Sequence, residues 1–152
     1  MCIKLDKDWK LLAKGFDEPT LFADYPLVGS NCFRLPCVIN SHIFLPNEER
    51  SSIVLQNVKH SHLNKFLMVK SVLLYLFLLK VTEEKKFGNS GILCLVYSNI
   101  EGSGIVCNRT WFDKHYMELM VKEASRAPLL RAHDSKELIP PCKLIVPQVT
   151  IQ

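Results

Sequence analysis

The most informative stretch of this chain is LFADYPLVGSNCFRLPCVINSHIFLPNEERSSIVL, residues 21–55. It contains three short β-prone runs, at 21–25, 35–40 and 52–56, with turns rich in proline and glycine between them. A charged turn, Asn-Glu-Glu-Arg at 47–50, leads into the third run. This alternation predicts a β-sheet with tight connections rather than helices.

The first 13 residues predict a further pair of strands. The runs at 2–5 and 9–13 are strand-like, and the charged turn Asp-Lys-Asp at 6–8 joins them. The β-rich part of the chain therefore extends over residues 1–57.

The apolar period changes to helical spacing at Ser61, which is a suitable N-cap. The helix is expected to end before Gly88. Because the run at 71–79 is apolar on nearly every side, we expect this helix to pack on two sides. Four side chains are expected to be buried against the sheet: Phe66, Leu67, Leu74 and Phe77.

The remainder of the chain, 58–152, is predicted to be mainly helical. A second helix begins near Trp111 and ends at Pro128, and a closing strand is predicted near 143–147. The apolar run at 92–96 fits either a buried strand or a short helix. We expect an α+β fold, in which a small mixed β-sheet from the N-terminal third carries two main helices, and a single partial domain over 1–152.

Parts of this pattern form a specific string with a family resemblance. The turn at 25–30, the strand at 35–44 and the arginine that ends the next turn resemble the sacsin-like proteins, which carry a gyrase/heat-shock-chaperone/histidine-kinase type ATP-binding domain. That family has an FPLxGT-type turn, an FPVxINSxxF strand, and a tryptophan-led helix downstream. The residues that match are Pro26, Gly29, Pro36, Asn40, Phe44, Arg50 and Trp111.

The resemblance is confined to the part of the family that follows the nucleotide pocket. An ATPase site of that kind needs an acidic residue, an asparagine for magnesium and an Asp-x-Gly-x-Gly turn, and no aspartate here precedes Gly-x-Gly. We therefore expect no enzyme activity, no cofactor and no metal in this chain. ATP and magnesium are expected only if an upstream ATPase segment exists, since the chain resembles the later part of a larger architecture.

Two isolated features suggest anion binding. Arg50 ends the charged turn, where its guanidinium can contact a phosphate or a carboxylate, or form an internal salt bridge with Glu48 or Glu49. The Glu-Gly-Ser-Gly at 101–104 is either a phosphate loop or a flexible loop, and no strand–loop–helix unit of the right length surrounds it.

Histidines and aromatic residues offer weaker candidates. His60 and His62 can bind a metal or form a solvated helix start. His115 can act as a base or lie on the surface. Three aromatic residues form either a stacking platform or part of the core: Phe22, Tyr25 and Phe33.

Composition excludes several classes of partner. The chain has 152 residues, 48% of them hydrophobic, and a net charge of +4 with scattered basic residues, which argues against nucleic acid. The apolar run at 71–79 is shorter than the ~18 residues that span a bilayer. Six cysteines without a Cys-x-x-Cys pair indicate buried free thiols and a cytoplasmic protein.

Two functions are consistent with these observations. The first is a partial or degenerate segment of a sacsin-like, chaperone-type ATPase protein, with a structural or protein-interaction role. Its partner would be a protein: the missing upstream segment, a second copy or a client. The alternative is a stand-alone protein-interaction module that is unrelated to ATP.

Overall fold

The fold is α+β, as the sequence predicts. In the described part of the chain, a three-stranded mixed sheet and two two-stranded sheets accompany one long helix and one shorter helical rod. The computed structural model describes residues 1–15, 17–33, 35–56, 59, 61–94, 109–131 and 138–143.

The N-terminal hairpin is confirmed, with shorter strands than expected. β1 (Lys4–Leu5) pairs antiparallel with β2 (Leu11–Leu12). The Asp6 carboxylate holds the connecting turn, because its Oδ1 accepts hydrogen bonds from the backbone N–H groups of Asp8, at 2.8 Å, and Lys10, at 2.9 Å. The charged turn is thus an Asp-stabilised turn.

The mixed sheet has the order β4-β3-β5. β3 (Leu21–Ala23) lies in the centre, antiparallel to β4 (Tyr25–Pro26) and parallel to β5 (Ile39–Asn40). The single strand predicted at 21–25 is divided in two, because Asp24 adopts a φ of 64° and turns the chain back. Aspartate is among the residues that tolerate this left-handed region.

The other two predicted strands are mostly irregular. Of the run at 35–40, only its last two residues join the sheet, and Ile53 in the run at 52–56 forms a single bridge with Pro46. Side chains replace part of the missing ladder. Asn47 Oδ1 accepts hydrogen bonds from the backbone of Ser51 and Ser52, at 2.9 and 3.0 Å, which closes the charged turn.

The two main helices are confirmed. α1 (Ser61–Lys85) has 25 residues and is about 37 Å long at 1.5 Å per residue. The second rod consists of α2 (Arg109–Phe112), a π-helical turn (Asp113–Met117) and α3 (Glu118–Arg126). The backbone stays right-handed helical through both junctions, so these three segments form one continuous helix with a π-bulge.

The C-terminal part contains a hairpin that the sequence pattern did not predict. β6 (Leu130–Arg131) pairs antiparallel with β7 (Leu138–Ile139). The ambiguous run at 92–96 begins in a 3₁₀ turn, Ser90–Cys94, and its last two residues lie outside the described part. The predicted closing strand at 143–147 also lies outside it, apart from Lys143 at the end of a 3₁₀ turn.

The core lies between the mixed sheet and the two helices. Phe33, from the 3₁₀ turn after β4, packs against Phe112 with tilted rings whose centroids are 4.9 Å apart, and Phe112 stacks in turn on Tyr116 at 5.1 Å. The Tyr116 hydroxyl lies 3.2 Å from Ser71 Oγ of α1. Burial raises the pKa of this phenol above its ordinary value.

The thiols are only partly buried. Cys37 lies in the core, whereas Cys2 and Cys142 are exposed, so the expectation that buried thiols predominate is wrong for these two. Burial raises the pKa of Cys37 to about 12 from an ordinary value of 9.0.

The buried Cys37 thiol should make the protein sensitive to alkali. Because its folded pKa is above its unfolded pKa, its contribution is fully present below about pH 9 and is lost as the pH rises toward 12. Between pH 8 and 10.5 we expect Cys37→Ala to lose about 2 kcal/mol less unfolding free energy than the wild type. Urea unfolding at both pH values measures this, with Cys2→Ala as the exposed-thiol control. Equal losses in wild type and Cys37→Ala would contradict the assignment.

Candidate protein-interaction surface

The inner face of α1 is unusually polar. Eight residues of the helix are buried, at alternating spacings of mostly three and four: Ser61, Asn64, Met68, Ser71, Val72, Tyr75, Leu79 and Thr82. Five of these carry a polar group. The orientation of α1 therefore depends on specific hydrogen bonds as well as on apolar packing.

Asn64 provides the largest set of these hydrogen bonds. Its Oδ1 accepts from the backbone N–H of Leu45 at 2.9 Å. Its Nδ2 donates to the carbonyl oxygens of Leu45 at 2.8 Å and Val54 at 3.0 Å. One fully buried side chain thus pairs three backbone groups from the irregular segment that precedes α1.

One further residue of the inner face ties α1 to another segment. The Tyr75 hydroxyl donates to the Leu93 carbonyl in the 3₁₀ turn after α1, whereas Thr82 Oγ1 donates within the helix, to the Leu78 carbonyl at 2.8 Å. Ser61 is different, because its buried hydroxyl has no hydrogen-bond partner among the described residues. As the first residue within the helix, it does not have the predicted N-cap role.

The opposite side of α1 is apolar and open to solvent. Its large residues each leave between 37% and 66% of their surface exposed. With the two lysines that lie in the same rows, these residues define the outer face of α1: Leu63, Phe66, Lys70, Leu73, Leu74, Phe77 and Lys80.

Three of the four residues that were expected to be buried in α1 lie on this outer face. Phe66, Leu74 and Phe77 are exposed, which corrects the prediction, and Leu67 is half-buried against the core. The apolar residues of α1 occur on all sides, so their period does not determine which side is buried. The polar side chains determine it, because a buried amide such as Asn64 needs hydrogen-bond partners that only the core-facing side offers.

Two lysines, Lys70 and Lys80, lie on the apolar outer face. Lys70 Nζ lies 5.4 Å from the ring centroid of Phe66, a cation–π distance. Lys80 Nζ lies 3.8 Å from a carboxylate oxygen of Glu84 one turn further along. Both lysine side chains can therefore lie along the apolar surface while their charges stay hydrated.

The Arg50 side chain contacts a backbone carbonyl group. Arg50 ends the charged turn with a φ of 51°, and its Nη2 donates to the Ala23 carbonyl in β3 at 3.5 Å. Within the described residues it forms no ion pair with Glu48 or Glu49, so the predicted alternative of an internal salt bridge is not seen. The exposed guanidinium links the turn to the central strand.

Gly29 packs against the same turn. Its N–H donates to the Ser51 carbonyl at 2.8 Å, and a Cβ at this position would lie 3.1 Å from that oxygen. Together, Arg50 and Gly29 place the charged turn beside the mixed sheet. A side chain at position 29 would push the turn away.

The remaining family-motif residues lie at several depths. Asn40 ends β5 opposite Phe22, and Phe44 is buried in the core. Pro26 is exposed in β4, and Pro36 is half-buried before β5. Most of the motif residues therefore lie in or beside the mixed sheet.

Trp111 lies apart from that group, on α2. Lys65 Nζ from α1 is 5.6 Å from the Trp111 ring centroid, and the His115 ring is 6.0 Å from it. His115 is exposed on the π-bulge and His62 is exposed on the first turn of α1. His60 and the loop at 101–104 lie outside the described part of the chain.

Neither a metal cluster nor an aromatic platform is formed in the described ranges. No group of three His, Cys, Asp or Glu side chains there can hold an ion. Phe33 is fully buried, Phe22 is half-buried and Tyr25 is 71% exposed. Since Phe33 packs inside the core, these three rings do not share one stacking surface.

A cavity of about 960 Å³ lies beside the C-terminal end of α1. The segment 87–91, Leu129 and residues of the later hairpin, including Leu138, form its walls, and Lys10, Glu83 and Lys86 supply charge. Among the described residues, neither cysteine nor histidine lines it.

Comparison with known proteins does not assign the chain to a family. A scan against protein-family models, a search of curated proteins and a search of solved structures find no match. The resemblance to the sacsin-like proteins therefore stays a prediction. Among the residues that the structure describes, no helix has the length and apolar character to cross a membrane.

Proposed function

We propose that this chain is a non-catalytic protein-interaction segment with a structural role, and that the outer face of α1 is its docking surface. The observation that carries the proposal is the exposed apolar row Phe66, Leu73 and Phe77 on a helix whose other face is fixed in the core. Contiguous apolar surface of this kind on a folded domain is typical of interfaces.

The family resemblance implies where such a segment would act. In a sacsin-like, chaperone-type protein, the chain would lie beside the ATP-binding domain, and ATP and magnesium would belong to an upstream segment. Gly29 and Arg50, which join the charged turn to the mixed sheet, support a structural use of the shared string. The partner would be that upstream segment, a second copy or a client. The free thiols fit a cytoplasmic protein.

The alternative is a stand-alone interaction module that is unrelated to ATP. It is favoured by the same helix, because an apolar face that projects from a packed core needs no nucleotide to bind a protein. A titration with the upstream ATPase segment of a sacsin-like protein separates the two readings. Saturable binding supports the first, and its absence supports the second.

The docking role predicts a chaperone-like effect on an unfolding protein. We expect the chain to delay precipitation of reduced insulin B chain, measured by light scattering, equally with and without Mg-ATP. A double variant, Leu73→Ser with Phe77→Ser, should lose most of this effect. The matched control, Val28→Ser with Tyr25→Ser, changes equally exposed residues outside α1 and should keep it.

Two results would contradict this proposal. The first is equal protection by both double variants, which would exclude the outer face of α1. The second is a saturable heat of binding on titration with Mg-ATP. A specific site with a micromolar dissociation constant would correspond to a binding free energy of about −8 kcal/mol. In that case the chain would contain a nucleotide site of its own.

A further inference from the structure

We infer that the partner of the outer face of α1 is a second copy of this chain, with the two α1 helices antiparallel across a twofold axis. The inference rests on the proposed function, because it names the partner of the same surface. It requires that one face be complementary to itself, as in other twofold interfaces.

The spacing of the outer face fits helix–helix packing. Leu63, Phe66, Lys70, Leu73 and Phe77 recur at alternating intervals of three and four residues. This is the interval of the seam between two helices that cross at a shallow angle. From Leu63 to Phe77 the seam is about 21 Å long.

The exposed area is enough for a weak dimer. From their exposed fractions, the five Leu and Phe residues present roughly 500 Å² per copy, hence about 1,000 Å² when two copies meet. This is near the lower limit for a specific interface. A dimer with a dissociation constant in the micromolar range, roughly 1–100 µM, is the expected consequence.

The charges select the antiparallel arrangement. In a parallel pair, Lys70 would face Lys70 and Lys80 would face Lys80, and like charges in a seam repel. With an antiparallel twofold between Leu73 and Leu74, Lys70 instead faces Phe77 of the second copy. An ammonium group over a phenyl ring is attractive, as the Lys70–Phe66 distance already shows within one chain.

The ends of the helices also favour this direction. The antiparallel pair places Glu83 and Glu84, in the last turn of one α1, beside the first turn of the other. Carboxylates are stabilised near a helix N-terminus by the partial positive charge there. In a parallel pair, Glu83 and Glu84 of the two copies would instead lie beside each other, and like charges repel.

Sedimentation equilibrium of the full chain between about 1 and 200 µM tests whether the dimer exists. The wild type should shift from the 17.4 kDa monomer toward twice that mass. Phe77→Lys should weaken the dimer at least about 100-fold, since it places an ammonium group in the seam opposite Lys70 of the second copy. Val28→Lys, which changes an exposed apolar residue on another element, should leave the dissociation constant unchanged. Circular dichroism confirms that each variant is folded.

Disulfide cross-linking tests the direction of the helices. In a Cys2→Ser, Cys142→Ser background, Leu74→Cys should form a linked dimer on mild oxidation, because position 74 lies at the twofold axis. Leu63→Cys should not, because its two copies would be about 31 Å apart. Mass spectrometry identifies the linked peptides.

Each outcome either supports the second copy or overturns it. A wild-type monomer at 200 µM, or a dimer that Phe77→Lys does not weaken, overturns the inference. Cross-linking at both positions overturns the antiparallel direction. A monomer that still protects insulin would remove the second copy and leave the proposed function intact. A dimer that does not protect insulin would support the second copy as the partner and contradict binding of a client.

Discussion

Replacement of Asn64 by leucine is expected to lower the free energy of unfolding by about 3–5 kcal/mol. Leucine fills a similar volume but removes the Asn64 hydrogen bonds to the N–H and C=O of Leu45 and to the C=O of Val54. The Leu45 carbonyl then keeps only a long bond of 3.5 Å from the Val54 N–H. Buried backbone groups that lose a hydrogen bond each destabilise the fold by about 1–3 kcal/mol. The sum is large because a single amide pairs all three groups.

Urea unfolding measures this effect, and two variants frame it. His62→Leu changes an exposed residue two positions away and should alter the unfolding free energy by less than about 0.5 kcal/mol. Asn64→Asp keeps the acceptor for Leu45, but its buried carboxylate would face the carbonyl oxygens of Leu45 and Val54, so its loss at pH 7 should be at least as large as that of Asn64→Leu. A loss below about 1 kcal/mol for Asn64→Leu would mean that water replaces the amide, and the packing of α1 would need revision.

Local signals in the sequence were sufficient for much of the fold. The charged turn at 6–8 predicted the first hairpin, and the structure shows that Asp6 itself closes that turn. The change to helical period at Ser61 located α1, and Pro128 marked the end of the second helix. Each of these signals acts within a few residues, where side-chain chemistry and backbone conformation are directly linked.

Non-local contacts decided what the sequence pattern did not. α1 is apolar nearly all round, so its period alone assigned Phe66, Leu74 and Phe77 to the core. The hydrogen bonds of Asn64 and Tyr75 instead turn the polar side inward, and their partners lie 10 to 19 residues away in sequence. A pattern of apolar residues contains no information about such partners.

The candidate surface was partly visible in the sequence. A helix that is apolar on every side is expected to pack on two sides, and in the described residues α1 packs on one. The unoccupied side is the outer face. Arg50, in contrast, was selected for its charge, and its observed contact is with a backbone carbonyl that no sequence rule would identify.

The orientation of α1 can be tested by the unfolding free energies of two alanine variants in dilute protein. Tyr75→Ala removes a fully buried ring and should destabilise the chain by about 3–5 kcal/mol. Phe77→Ala, two positions along, removes a ring that is 66% exposed and should change stability by less than about 0.5 kcal/mol below the dimer concentration. The reverse order, with Phe77→Ala the more destabilising, would contradict this account and place the apolar face of α1 in the core.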